Sequence, residues 1–398
     1  MSPEGAGPPE PVFAEALRVI LPSPGQTLLL RGCLLPGEAG HRAWTAWRES
    51  VGDSSAAFEK DREGLKGLLP LVQAGLQRSH YGEDRRLLTY ARAAWLREQL
   101  RGQAFRDICA EVLSALDAAG LPVITLGSAV MAETVYHDPS VRHCHAIDIL
   151  VREEDLTAAA GEIRSLGFTR AGRRQESGPQ HLSWRHETGL PLELRARLFQ
   201  PGFGDPSADG LEARSRSQTI AGMPARILSP ADNLLHICGR AVNTRARANL
   251  RWACDAWSII DRHRDLDWQV LVDGAVECDL ALPLFVQLRY LAKALDSPVP
   301  DEVSAGLAGA VQRNPEAGLE GVLSGALTGL RAAVGALAET NGGARLRIAR
   351  FLVAPSPACM VRTWRIRHRA LLPLYYLYRP LRYLAIRIRD RYLRPAAG

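Results

Sequence analysis

A succession of short β-branched runs between residues 120 and 195 constrains this chain more than any other feature. Pro122-Val-Ile-Thr-Leu126 is closed by Gly127-Ser128, and Ala146-Ile-Asp-Ile-Leu-Val151 alternates polar with apolar residues. Both read as buried strands. His181 to His186 and Leu190 to Leu198 flank Glu-Thr-Gly and read as a hairpin. Between the strands, Ala129 to Tyr136 and Glu153 to Leu166 are predicted helices, the second stopped by Gly167. The mixture predicts an α+β fold.

Helical patterns surround this centre. Val12 to Leu21, Ala39 to Glu49 and Leu65 to Gln77 carry apolar residues at spacings of three and four, and residues 84 to 119 continue as helix up to Gly120. Ser229-Pro230-Ala231-Asp232 reads as a helix start with proline at its first position, and helices are predicted onward to about residue 340. A chain of 398 residues exceeds what one core usually serves. The predicted division is a helical region over 1–100, an α/β domain over 101–230, a helical domain over 231–345 and an arginine-rich helical segment over 346–398.

The seven cysteines are scattered, odd in number and never spaced as CxxC, which argues against a disulfide framework or a structural zinc site. The first residues, MSPEGAGPPEPVF, lack the basic start and apolar run of an export signal, and no uninterrupted apolar stretch of about 18 residues occurs. A cytoplasmic protein without a transmembrane segment is expected. Hydrophobic residues at 46% and charged residues at 23% match an ordinary folded chain.

Several motifs appear in order: residues 120–129, Tyr136-His-Asp-Pro-Ser-Val-Arg142, Ala146 to Val151, and Leu192-Glu-Leu-Arg195. Ser229 to Cys238 and Leu250 to Trp257 follow them. In order and spacing the set resembles the uncharacterised nucleotidyltransferase family of the polymerase-β-like superfamily, over roughly residues 100 to 260. The resemblance implies a small mixed β-sheet flanked by helices, with a glycine-serine turn and three carboxylates, two from a DxD strand and one from a later strand. In such a site the acids hold magnesium ions, which bind the phosphates of a nucleoside triphosphate while an acceptor oxygen attacks the α-phosphorus. Glycine lets backbone N–H groups approach those phosphates, and the serine hydroxyl adds a donor.

Residue by residue, the resemblance implies that Gly127 and Ser128 form the nucleotide-binding turn, that Asp148 is the second acid of the pair, and that Glu193 is the third. Asp148 and Glu193 are thus the expected metal ligands and catalytic carboxylates, converging on a cleft floored by residues 127 and 128. Arg142 is a candidate for gripping a phosphate bidentately. The first acid of the pair is Ala146 here, the lysine often found before the turn glycine is Leu126, and the histidine often found two residues after the third acid is Arg195. A methyl group binds no metal, and losing several kcal/mol of transition-state stabilisation slows a reaction roughly a thousandfold or more. His145 is a candidate replacement ligand, provided the strand begins after it or carries a bulge, because neighbouring strand residues face opposite ways.

Other readings stand beside these. Asp148 between isoleucines needs either a ligand or an ion-pair partner such as Arg142. Glu193 also suits plain solvent exposure on a hairpin, and His236 and Cys238 lie on an apolar helix face that suits a core. Trp252, Asp255 and Trp257 suit a brace between helices and sheet.

Ten arginines and one acid fall between Arg362 and Arg394, a balance of +9 against +6 for the whole chain. Interleaved tyrosines and Trp364 make this segment a candidate for contacting an acidic partner, nucleic acid or an anionic membrane surface, or for capping the fold. Two functions follow: magnesium-dependent transfer of a nucleotidyl group to an acceptor that the motifs do not name, impaired or lost through Ala146, or a non-catalytic adaptor that contacts its partner through residues 362–394.

Overall fold

The computed structural model describes residue 11, residues 14–60, 65–79, 85–171, 180–199, 203–243 and 250–315, and shorter stretches between 345 and 381. Alternating side chains in the central strands set its layers. Strands β1 (Val123–Leu126), β2 (Ile147–Val151), β3 (Thr169–Arg170), β4 (His181–Arg185), β5 (Pro191–Arg195), β6 (Arg216–Ile220) and β7 (Met223–Ile227) form one mixed sheet in the order β3-β4-β5-β2-β1-β7-β6. Pairs β1·β7 and β2·β5 are parallel, and the other four are antiparallel.

Ile147, Ile149 and Val151 of β2 and Leu192 and Leu194 of β5 share one face, where they are buried with Ile108, Val112 and Leu116 and with Ala159 and Ile163. Those partners belong to two helices, α5 and α7. The helices before and around the first strands are α1 (Pro24–Leu34), α2 (Gly37–Val51), α3 (Ser54–Lys60), α4 (Leu69–Ser79), α5 (Arg85–Ala118), α6 (Gly127–Thr134) and α7 (Leu156–Ser165). Later come α8 (Ala208–Arg214), α9 (Pro230–Asn243), α10 (Arg251–Arg262), α11 (Trp268–Glu277), α12 (Ala281–Ala294) and α13 (Asp301–Arg313).

A second core joins the N-terminal helices to those after β7, with Leu29, Leu30, Trp44 and Trp47 in the same buried cluster as Leu234, Leu271, Leu288 and Leu307. Polar contacts fasten the same junction. Thr27 Oγ1 lies 2.9 Å from Tyr290 Oη, and Arg31 donates to the Ala294 carbonyl at 2.6 Å and to Asp296 at 2.8 Å.

Two elements go beyond the sequence reading. Helix α1 starts with a capping box, in which Ser23 Oγ accepts from Gln26 N and Gln26 Oε1 accepts from Ser23 N, with proline at the first position. The β6–β7 hairpin turns through Ala221 and Gly222, both at positive φ (53° and 80°), as a two-residue hairpin loop requires. The last strand of the first predicted hairpin stops at Arg195 rather than Leu198, and the chain then turns so that Leu198 and Phe199 join the second core. Among the described residues no helix is long and apolar enough to cross a membrane. Most of the predicted helix between 316 and 344, and the arginine-rich stretch from residue 382 onward, lie outside the described residues.

Candidate functional site

Strand pairing brings the two acids together. Asp148 is opposite Glu193 in the parallel β2·β5 register, and Leu126 is opposite Asp148 across β1·β2. Residues in register point to the same side, as do residues two apart on one strand. Glu193 and Arg195 of β5 and His181 and Ser183 of β4 therefore share the face of Asp148. Together with Gly127, Ser128, Arg142, His145, Arg240, Arg251 and Asp255 most of them line a cleft of about 350 Å³, a size suited to a small ligand.

The floor is the turn between β1 and α6. Gly127 has φ +70°, and a Cβ there would meet Asp148 Oδ2 at 2.6 Å, so only glycine permits both the backbone conformation and the close carboxylate. Ser128 is buried and donates to the Ala146 carbonyl at 3.3 Å, which ties the turn to the residue just before β2.

Asp148 is buried, and its carboxylate is fully engaged. Arg195 Nη2 donates to Oδ1 at 2.6 Å, and Arg240 Nη1 of α9 donates to Oδ2 at 3.2 Å. Burial pushes its pKa up, but the adjacent Arg240 and Arg195 guanidiniums outweigh this and hold it below the usual carboxylate range. Arg142, offered by the sequence as one ion-pair partner for Asp148, is bound elsewhere. Arg142 is fastened bidentately to Asp255 of α10, Nε to Oδ1 and Nη2 to Oδ2 at 2.8 Å each, and Tyr136 Oη adds a third donor to Asp255 at 2.9 Å. Arg142 and Asp255 thus act as the brace between the 136–142 loop and the helices, and that guanidinium's strongest bonds are committed within the protein.

Glu193 is partly exposed and differently held. Both of its hydrogen bonds fall on Oε2, from Ser183 Oγ at 2.7 Å and with His181 Nε2 at 2.6 Å. Burial raises its pKa, and these bonds to His181 and Ser183 more than compensate, so it too lies below the ordinary range.

β2 begins at Ile147, which leaves His145 in the preceding loop, free of strand alternation and on the rim of the cleft. Glu98 of α5 bonds His143 Nδ1, and His143 Nε2 lies 3.1 Å from His145 Nδ1. His143 thus links Glu98 of α5 to His145 at the edge of the cleft. Burial, with Arg251 and other cations nearby, pushes His145 down to about 3 and keeps it neutral. His236 lies in the core as its apolar helix face suggests, fully buried, with neither ring nitrogen hydrogen-bonded among the described residues.

Arg240, Arg251, His181, Ser183 and Glu98 were not singled out from the sequence. They sit on α9, α10, β4 and α5: Arg240 is 92 residues from Asp148, whereas His181 and Ser183 are 12 and 10 residues from Glu193, on the neighbouring strand.

A glycine turn and in-register strand acids on a mixed sheet flanked by helices describe an α+β domain of the nucleotidyltransferase type. The family described as "uncharacterised nucleotidyltransferase" matches residues 65–296, and the chain belongs to that family. Searches of curated proteins and of solved structures gave no match.

Magnesium, which the fold implies, meets an unfavourable donor set. Both oxygens of Asp148 already accept from guanidiniums, residue 146 presents a methyl group, and among the described residues no three His, Cys, Asp or Glu side chains gather closely enough to hold an ion. These residues do not fit a pair of magnesium ions.

Proposed function

We propose that the chain binds a nucleoside triphosphate in the cleft above Gly127 and Ser128, and that its nucleotidyl transfer to an acceptor hydroxyl is impaired or lost. One observation carries the reading: Asp148 and Glu193 stand in register over a glycine turn whose missing side chain makes room for the carboxylate. Family membership supports the nucleotide, and Ala146 with the double arginine contact to Asp148 supports the weakened transfer. In a working enzyme the acceptor oxygen would form a bond to the α-phosphorus as pyrophosphate leaves, and Glu193, with Oε1 free of hydrogen bonds among the described residues, is the carboxylate best placed to take the hydroxyl proton.

The test uses radiolabelled nucleoside triphosphates with the full chain. Saturable binding with little or no incorporation into added hydroxyl acceptors is expected. Incorporation that disappears in Asp148→Ala would restore a competent transferase, and absence of binding by all four nucleotides, with or without magnesium, defeats the proposal.

A second reading is a non-catalytic adaptor that keeps the fold and engages a partner through its basic C-terminal segment. The arginine saturation of Asp148 favours it. Retention of that partner by a chain carrying Asp148→Ala and Glu193→Ala, with loss on truncation at residue 361, separates the two.

A further inference from the structure

Two arginines of the cleft, Arg195 and Arg240, hold Asp148, a carboxylate that a metal would require. We infer that the cleft takes the phosphate chain of its ligand as a free anion, on Arg240 and Arg195 with Arg251 alongside, and without a divalent ion. The inference rests on the nucleotide reading above and assigns its ligand chemistry: a polyphosphate ester that is not magnesium-bound.

Four guanidiniums, Arg142, Arg195, Arg240 and Arg251, line the cleft with three carboxylates, Asp148, Glu193 and Asp255. Arg142 is committed to Asp255, and Glu193 is held by His181 and Ser183. Arg195 and Arg240 are left with Asp148 as their shared counterion, and Arg251, which makes no ion pair among the described residues, has Asp255 and Glu98 as its nearby acids. Hydrogen-bonding capacity is left over: among the described residues, Arg195 Nε and Arg251 Nη1 are buried without an acceptor. Buried guanidinium donors without partners are costly, and an anion drawn against these arginines offsets that cost by neutralising them.

Arg240 is the group able to move. Its side chain is 39% exposed and its contact with Asp148 is the longer of the two, so it can exchange a carboxylate oxygen for a phosphate oxygen while Arg195 keeps Asp148 paired. Guanidinium and phosphate match in planar, bidentate geometry. A divalent ion at the same place would have to take Asp148 from two cations and then lie beside both. Leu198, Phe199, Ile237 and Trp252 add apolar surface to the same cleft.

The experiment is calorimetric titration of the full chain with ATP and with inorganic tripolyphosphate, each in excess EDTA and in excess magnesium. Binding of both in EDTA, at least as tight as in magnesium, is expected. Arg240→Gln should weaken ATP binding in EDTA by about tenfold or more, the scale of one charged hydrogen bond. Asp148→Asn should tighten it, because the neutral amide no longer competes for the arginines. ATP binding that requires magnesium, or that Asp148→Asn abolishes, overturns the inference and leaves the nucleotide reading in place. Tripolyphosphate binding without ATP binding upholds the anion site and removes the nucleotide, and failure of both ligands removes both. Unchanged binding by a folded Arg240→Gln protein also overturns the arginine assignment.

Discussion

The two faces of β2 and β5 are made by the same few residues and behave in opposite ways. On one, Ile147, Ile149, Leu192 and Leu194 disappear into a core against α5 and α7. On the other, Asp148, Glu193 and Arg195 carry charge into a cleft, and each is bound to a group from another element. The period of two places them, so a strand can serve packing and recognition at once. The apolar face tolerates no loss of volume, whereas the polar face tolerates changes of partner only so long as charge remains matched.

Three substitutions sharpen that contrast. Leu194→Ala, on the apolar face where the side chain is fully buried, should lower stability by about 2–5 kcal/mol in urea unfolding. A loss well below this range would mean that the back face is loosely packed. Arg195→Ala should cost about 1–3 kcal/mol near neutral pH, less than an isolated buried pair because Arg240 still reaches Asp148. Its cost should depend on acidity. Asp148 has a depressed pKa, so the stability it brings is present above the ordinary carboxylate range and is lost as pH falls through its folded value; from about pH 4 downward the gap between wild type and Arg195→Ala should close. A gap that stays constant down to pH 2 would remove the ion pair from the account. Gly127→Ala, which forces a methyl group into the left-handed region and onto Asp148 Oδ2, should cost about 1–2 kcal/mol from the backbone. It should also displace Asp148 and alter nucleotide affinity, and an alanine variant with native stability and affinity would contradict the close approach.

What the sequence disclosed follows the same division. β1, β2, β4 and β5 were legible because their alternation or glycine stops are strong, and Gly127, Ser128, Asp148 and Glu193 because they belong to ordered motifs. The β6–β7 hairpin was not: Arg216 to Thr219 are all exposed, so no alternation marks the strand, and Ala221 occupies a turn position where asparagine or glycine is the usual signal. Helix α1 carried its capping box in plain view as Ser23 and Gln26, but Pro24-Gly25 between them resembles a turn. In the cleft, the partners of Asp148 could not be read. Arg240 is 92 residues away, on α9, and meets the carboxylate only in the folded chain. Arg195 departs from the family pattern, and its bond to Asp148, which joins two different strands, is not visible in the order of residues.

The hydrogen bonds from Thr27 and Arg31 to Tyr290, Ala294 and Asp296 cross more than 260 residues of chain. During synthesis, then, the first helix leaves the ribosome long before the helix it must lie against, and until α12 emerges Leu29 and Leu30 have no late-arriving wall to bury them. The slow step of maturation is expected to be this closing of the chain's two halves, with the early helices in need of protection in the interval.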